Sequence, residues 1–235
     1  MPFFFFDPTM IILIPAIILS IYASVKVRAT YNKYKRIAST RGLSGSDVAQ
    51  LILHNNGISD VKVERIPGML SDHYDPRTKV LRLSPENYSG RSLAAIGVAA
   101  HEVGHAVQHA QGYAPLGIRN AIAPVTSLGS QLAIPLIFIG LIFNTHFMGL
   151  NLLQIGVILY STVVLFTLIT LPVEFNASRR AVTAVREFAI LNGDEIEGAR
   201  KVLNAAALTY VAATTVAILE LLRLLIISRG FDKHN

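Results

Sequence analysis

The sequence predicts a mainly α, multi-pass helical membrane protein with about four transmembrane helices and a small α+β, zincin-like cytoplasmic catalytic segment. Three observations carry that prediction. Of the 235 residues 52% are hydrophobic, and the mean hydropathy of +0.48 is high for a soluble domain. Four apolar runs, 8–25, 122–143, 150–173 and 202–227, are each close to the ~20 residues that cross a ~30 Å hydrocarbon core. Between the first two runs, residues 26–120 change to ordinary polarity with mixed helix and strand patterns. The expected organisation is therefore transmembrane helix 1 at 8–25, a cytoplasmic segment of mixed helix and strand at 26–120, helices 2 and 3 at 122–143 and 150–173, a cytoplasmic helical segment at 174–201, and helix 4 at 202–227.

The first run follows "MPFFFFD", which has no basic residue, and ends in charges rather than small residues. It reads as a retained anchor, not a cleaved signal peptide. Directly after it, Lys26, Arg28, Lys33, Lys35 and Arg36 appear with no acid until Asp47. Such a cluster flush against a span faces the cytoplasm and anchors to anionic lipid, so the bilayer is the expected partner and nucleic acid is not. The loop "NTHFMGLN" has no Lys or Arg, as an external loop should, and "EFNASRRAVTAVREF" returns arginines to the cytoplasmic side after the third span. In the last span Glu220 and Arg223 sit three apart on one helix face and read as a neutralising pair. Arg229 and Lys233, on what should be the outer side, fit the rule less well. With no cysteine, disulfides and thiolate metal ligands are excluded.

Within the polar segment, "LSGSDVAQLILHNNG" reads as a short helix: Ser44 or Ser46 can cap it, Val48, Leu51 and Ile52 share a face, and Asn-Gly stops it. "VKVERI" and "KVLRLS" alternate apolar and charged residues and read as half-buried strands. Between them "PGMLSDHYDPRT" is dense in turn formers. Residues 79–84 are expected as a sheet edge that an extended peptide could join through backbone hydrogen bonds. A long helix then runs through "GRSLAAIGVAAHEVGHAVQHAQG" to a stop at Gly112.

That helix carries the chemistry. His101 and His105 are four apart, so both rings leave one face and can meet a single metal ion. Glu102, about 100° further round, can reach water at that ion and act as general base, the arrangement that makes His-Glu-x-x-His (HExxH) a hydrolytic motif. His109 continues the row but stands about 12 Å from His101 along a straight helix, too far to share an ion bound at ~2.0–2.1 Å. The third ligand is expected from another element on the same membrane face. Glu174, ending the third span, qualifies because a carboxylate so near hydrocarbon is costly unless paired or metal-bound; pairing with Arg179 or snorkelling to water is the alternative. For stabilising a developing oxyanion the donors are His73, Tyr74 and Arg179. For the first two, the competing role is turn chemistry around Asp72, Asp75 and Pro76. The ligand types imply Zn2+.

"HEVGHAVQH", with "SDHYDPRTKVLRLS" upstream and "LPVEFNASRRA" downstream, resembles the bacterial neutral zinc membrane metallopeptidases of the YugP type over nearly the whole chain. More distantly, "EFNASRRA" is similar to the segment that supplies the third ligand in membrane-embedded quality-control and prenyl-protein zinc peptidases. The resemblance implies His101, His105 and Glu174 as metal ligands, Glu102 as base, peptide or protein substrates including membrane proteins, and a part in membrane protein quality control. It places Arg179 on the arginine of the distant relatives, where it steadies the oxyanion or pairs with Glu174. Ser178 stands where those relatives have aspartate, so an acid that would orient a ligand histidine is missing. The competing reading is a non-catalytic membrane scaffold with a structural or vestigial metal site, and Glu102 discriminates, because a structural site has no use for a base beside its first ligand. A metallohydrolase acting on lipid or another amide is a third reading.

The charge placement makes a prediction of its own. Cysteines introduced one at a time at positions 60–90 should react with an impermeant maleimide only after the cells are opened; labelling in intact cells would invert the topology.

Overall fold

The computed structural model describes residues 8–143, 146–147 and 150–232. The stretch "MPFFFFD", half of "NTHFMGLN" and Lys233, on which parts of the topology reading rest, lie outside the described residues. A short 3-10 helix, Pro8–Leu13, leads into α1 (Ile14–Tyr34), followed by α2 (Gly45–Asn55), β1 (Lys62–Arg65), β2 (His73–Asp75), β3 (Val80–Leu83), α3 (Pro85–Tyr88) and α4 (Leu93–Ala110). Then come α5 (Ala114–Phe143), a minimal hairpin of β4 (His146–Phe147) and β5 (Leu150–Asn151), α6 (Leu152–Glu187) and α7 (Gly193–Asp232). Among the described residues, the four helical stretches long and apolar enough to cross a membrane are Pro8–Tyr34, Ala114–Phe143, Leu152–Glu187 and Gly193–Gly230. Three of them contain one of the apolar runs whole; the third takes in run 150–173 from Leu152 onward, Leu150 and Asn151 forming β5, and all four extend beyond their runs. α6 does so most consequentially: "VEFNASRRAVTAVRE" offers neither Gly nor Pro to stop it, so the helix carries Glu174 onward from the third run.

The chain divides into two compact units, with boundaries that fall inside or beside the long helices. The first comprises Met1–Tyr22, Ile118–Leu171 and Tyr210–Asn235. Its small core is Ile137, Leu153, Val157 and Leu224, while Leu128, Phe138, Ile139 and Leu165 are exposed, as residues facing hydrocarbon would be. Small residues let its helices approach closely: a Cβ on Gly156 would meet the Ala133 carbonyl oxygen at 2.9 Å. Arg223 Nη1 donates to Glu220 Oε1 at 2.9 Å, the neutralising pair expected from their spacing, and Arg223 Nε donates to Thr9 Oγ1 at 3.2 Å.

The second unit, Ala23–Gly117 with Pro172–Thr209, holds every proposed site residue. Its core gathers Val48, Ile52 and Leu53 from α2, Leu81 and Leu83 from β3, Ile96, Ala99 and Val103 from α4, Val185 from α6 and Val202 and Leu203 from α7. Of the two possible caps Ser44 is the one used: its Oγ accepts from Asp47 N at 3.2 Å, and Asp47 Oδ2 accepts from Ser44 N at 2.9 Å, a capping box. α2 and α4 stop at the expected glycines in the same way. Gly57 and Gly112 both take positive φ, 69° and 62°. After α4 the Tyr113 amide donates to Gln108 O and the Gly112 amide to His109 O, a Schellman closure.

The sheet corrects one expectation. β3 was placed at an edge; it is central, in the order β1-β3-β2. β1 pairs with it in parallel, Lys62 opposite Val80, and β2 pairs antiparallel, Tyr74 opposite Leu81. The parallel pair needs a long crossover, and the turn-rich stretch supplies both that crossover and the third strand. Three residues of strand among turn formers give too short a periodic signal to read. Val80, Leu81 and Leu83 are buried as a central strand requires, and Arg82 on β3 meets an acid from each neighbour, Glu64 at 3.7 Å and Asp75 at 3.6 Å.

α4 lies tight against α6 at Gly104, where a Cβ would lie 2.6 Å from the Ala177 carbonyl oxygen. At Gly97, on the same helix, the nearest atom to a Cβ would be Ala199 Cβ at 3.5 Å, an ordinary contact. Gly104→Ala should therefore destabilise the protein by about 1–3 kcal/mol through overpacking, whereas Gly97→Ala should be neutral or stabilising by up to about 1 kcal/mol from helix propensity. Thermal unfolding of the two variants in detergent tests this, and an equal response would remove the special role of Gly104.

Candidate metal centre

His101 and His105 lie side by side on α4, ring centroids 4.8 Å apart and edge-on at 87°. Glu174 reaches them from α6. Its Oε2 lies 3.3 Å from His101 Nε2 and 3.6 Å from His105 Nε2. One ligand atom from each of the three residues falls within 4.8 Å of the others, so together they form a group that can hold a metal ion. Glu174 is only 2% exposed; a carboxylate so buried is costly without a cationic partner or ion.

The surrounding hydrogen bonds show whether these side chains present lone pairs or protons. Gln108 Nε2 donates to Val173 O at 2.8 Å and to Asn176 Oδ1 at 2.9 Å. The carbonyl can only accept, so the amide orientation is fixed and Gln108 Oε1 is the atom 3.0 Å from His105 Nδ1. His105 must therefore carry a proton on Nδ1, so Nε2, which faces Glu174, is the nitrogen left to bind an ion in place of a proton. Ser178 Oγ, 3.1 Å from His101 Nδ1, can accept in the same way and leave His101 Nε2 unprotonated. Two imidazole nitrogens and a carboxylate oxygen, with the far nitrogens held by acceptors, are the donor set of a zinc site that keeps an open position. Burial pushes the His105 imidazole down, yet its hydrogen bond to Glu174 and the charges of Glu102 and Glu174 outweigh it and hold it above its ordinary value. A field that favours a proton there favours a cation.

Glu102 follows His101 on α4, 9% exposed, and is not one of the three grouped ligands. His109 is also outside the group, as helix geometry required; its Nδ1 lies 2.8 Å from Tyr74 Oη. β2 thus ties the Tyr74 phenol to α4 one turn beyond His105. Burial, with the charges of Asp60 and Asp75, pushes that phenol up to about 12. His73 is engaged locally, Nδ1 donating to Ser71 O at 2.8 Å and Nε2 lying 3.5 Å from Arg82 Nη1. Asp75 performs the expected turn chemistry, accepting from Arg77 N and Thr78 Oγ1, whereas Asp72 reaches across the chain to accept from Ser84 N beyond β3 and Asn87 Nδ2 on α3. Arg179, five residues beyond Glu174, is turned about 140° from it around α6 and lines cavities with Thr183.

Sequence reasoning missed Gln108 and Asn176. Gln108 had a signal, standing three residues after His105 and so on the same helix face; Asn176 needed the α4–α6 contact to acquire meaning. Arg180 extends the link, its Nε donating to Asn176 Oδ1 and Nη1 to Gln111 Oε1, both at 2.7 Å.

Comparison with known proteins agrees with this geometry. Residues 9–229 match a family described as "Putative neutral zinc metallopeptidase". The chain belongs to this zinc metallopeptidase family. It is also 46% identical over 222 residues to a protein of Bacillus subtilis (strain 168) described as "Putative membrane protease YugP", covering 94% of this chain and 97% of that relative. No solved structure matches. Membership makes zinc the cofactor of this metallopeptidase, and the likeness to a membrane protease accords with four apolar helices.

Because Gln108 holds the His105 tautomer, Gln108→Ala should weaken zinc binding by about 10–100-fold. Competition with a chromophoric chelator measures this without reference to turnover, and an unchanged affinity would leave Gln108 a packing residue.

Proposed function

We propose that this protein is a membrane-embedded zinc endopeptidase in which His101, His105 and Glu174 are the ligands, Glu102 is the general base, and the site faces the cytoplasm. The observation that carries the reading is the convergence of three ligand atoms within 4.8 Å beside a carboxylate, Glu102, that the ligand set does not use.

Zinc bound there supplies Lewis acidity, which makes water acidic enough to lose a proton near neutral pH and polarises a carbonyl. His101 and His105 offer Nε2 lone pairs because Ser178 and Gln108 hold their other nitrogens. Glu102 accepts the proton that water loses as its oxygen bonds to the substrate's carbonyl carbon. It then delivers that proton to the departing amine nitrogen as the C–N bond breaks. Of the three oxyanion donors read from the sequence, Tyr74 is the best supported. β2 presents it beside α4, and a phenol pushed up to about 12 keeps its proton, and so remains a donor, throughout the neutral range. The basic cluster after the first span supports the cytoplasmic face. The likeness of "EFNASRRA" to quality-control peptidases supports membrane proteins as substrates.

Glu102→Gln should retain one zinc per chain while peptidase activity falls by about 10²–10⁴-fold. Glu174→Ala and His101→Ala should lose zinc, and Tyr74→Phe should lower kcat with zinc content unchanged. Metal analysis and a peptidase assay on each purified variant decide the matter. Activity in Glu102→Gln would remove the base, and full zinc in Glu174→Ala would remove the third ligand.

A further inference from the structure

Away from the metal centre, α1 and α7 enclose a second cleft, of about 560 Å³, lined by Lys26, Thr30, Lys33 and Tyr34 from α1 and by Lys201, Asn204, Ala205 and Leu208 from α7. We propose that this cleft binds the phosphate-bearing headgroup of an anionic phospholipid.

The spacing of the lining residues aims their polar groups into one space. Lys26 and Lys33 are seven apart, two turns of α1, with Thr30 between them. Lys201, Asn204, Ala205 and Leu208 follow the i, i+3, i+4, i+7 pattern of a single helix face. The Lys33 ammonium lies 5.5 Å from the centroid of the Tyr34 ring, which holds it near the cleft wall. Three ammonium groups, a hydroxyl and a carboxamide can all donate hydrogen bonds, and no acid is among the lining residues. Ammonium groups gathered in one cleft repel one another, and an anion held among them screens that repulsion. Phosphate oxygens match an array of point-charge donors.

The lipid rather than a free phosphate follows from where the lysines fall along their helices. On α1 the apolar run 8–25 ends directly before Lys26, and on α7 the apolar run 202–227 begins directly after Lys201. The cleft therefore marks the polar end of both apolar runs, the depth at which headgroups lie. Ala205 and Leu208 carry its wall into the apolar part of α7. Basic pockets between spanning helices are built to hold anionic headgroups.

The test is native mass spectrometry of the full-length, zinc-loaded protein released from detergent with added phosphatidylglycerol, cardiolipin or phosphatidylcholine. The parent should retain phosphatidylglycerol or cardiolipin at least tenfold more tightly than phosphatidylcholine. The triple variant Lys26→Gln, Lys33→Gln, Lys201→Gln should lose that preference while keeping its zinc. The corresponding triple arginine variant should retain it, which separates lost charge from lost fold. A control lowering net charge equally on the polar segment, Lys62→Gln, Arg65→Gln, Arg77→Gln, should behave as the parent. Equal preference in the parent and the glutamine variant, equal loss in the control, or displacement of the lipid by millimolar inorganic phosphate would each overturn the proposal.

Discussion

The metal centre depends on how closely α4 can approach α6. A glutamate side chain is short, and Glu174 must bring one oxygen to two imidazoles on a different helix. Gly104 makes this possible, because its missing Cβ is where the Ala177 carbonyl sits. A side chain at position 104 would press on that carbonyl at 2.6 Å, pushing the two helices apart and drawing Glu174 away from the histidines. The same approach brings Gln108 within hydrogen-bond distance of Val173 and Asn176. The small residue inside the motif is thus as necessary to the geometry as the histidines that flank it.

Once the helices touch, polar contacts fix what packing alone would leave loose. Gln108, Asn176, Arg180 and Gln111 form a run of hydrogen bonds that leaves α4, follows one turn of α6 and returns to the residue just after α4. Within it one carbonyl group, that of Val173, sets an amide orientation, and that amide sets the tautomer of His105. Ser178 Oγ, 3.1 Å from His101 Nδ1, can hold the other histidine ring through a hydroxyl that carries no charge. A neutral acceptor orients the ring without adding negative charge to the buried site.

The platform beneath is built for rigidity. α4 is capped by Ser92 at one end and closed by a Schellman motif at the other. It packs against α2, itself held by a capping box, and over a strand buried between two neighbours. A site carried on capped helices keeps its ligand geometry better than one carried on loops. α6 brings Glu174 to the two histidines from a helix that is also long and apolar enough to cross a membrane.

Much of this was legible in the chain before any tertiary contact was known. The apolar runs, the caps at Ser44, Gly57 and Gly112, the shared face of His101 and His105, and the exclusion of His109 all follow from local rules of length, period and spacing. These rules act within a few residues, and local sequence states them completely. Glu174 was reachable only through topology, and its 3.3 Å approach to His101 belongs to the fold. The central place of β3, the strand at His73–Asp75, the use of Asn176 and Ser178 and the reach of Gln108 to α6 were decided by tertiary structure alone. Strand order and side-chain partners between helices depend on which surfaces meet, and residues sixty to eighty positions apart carry no local mark of meeting.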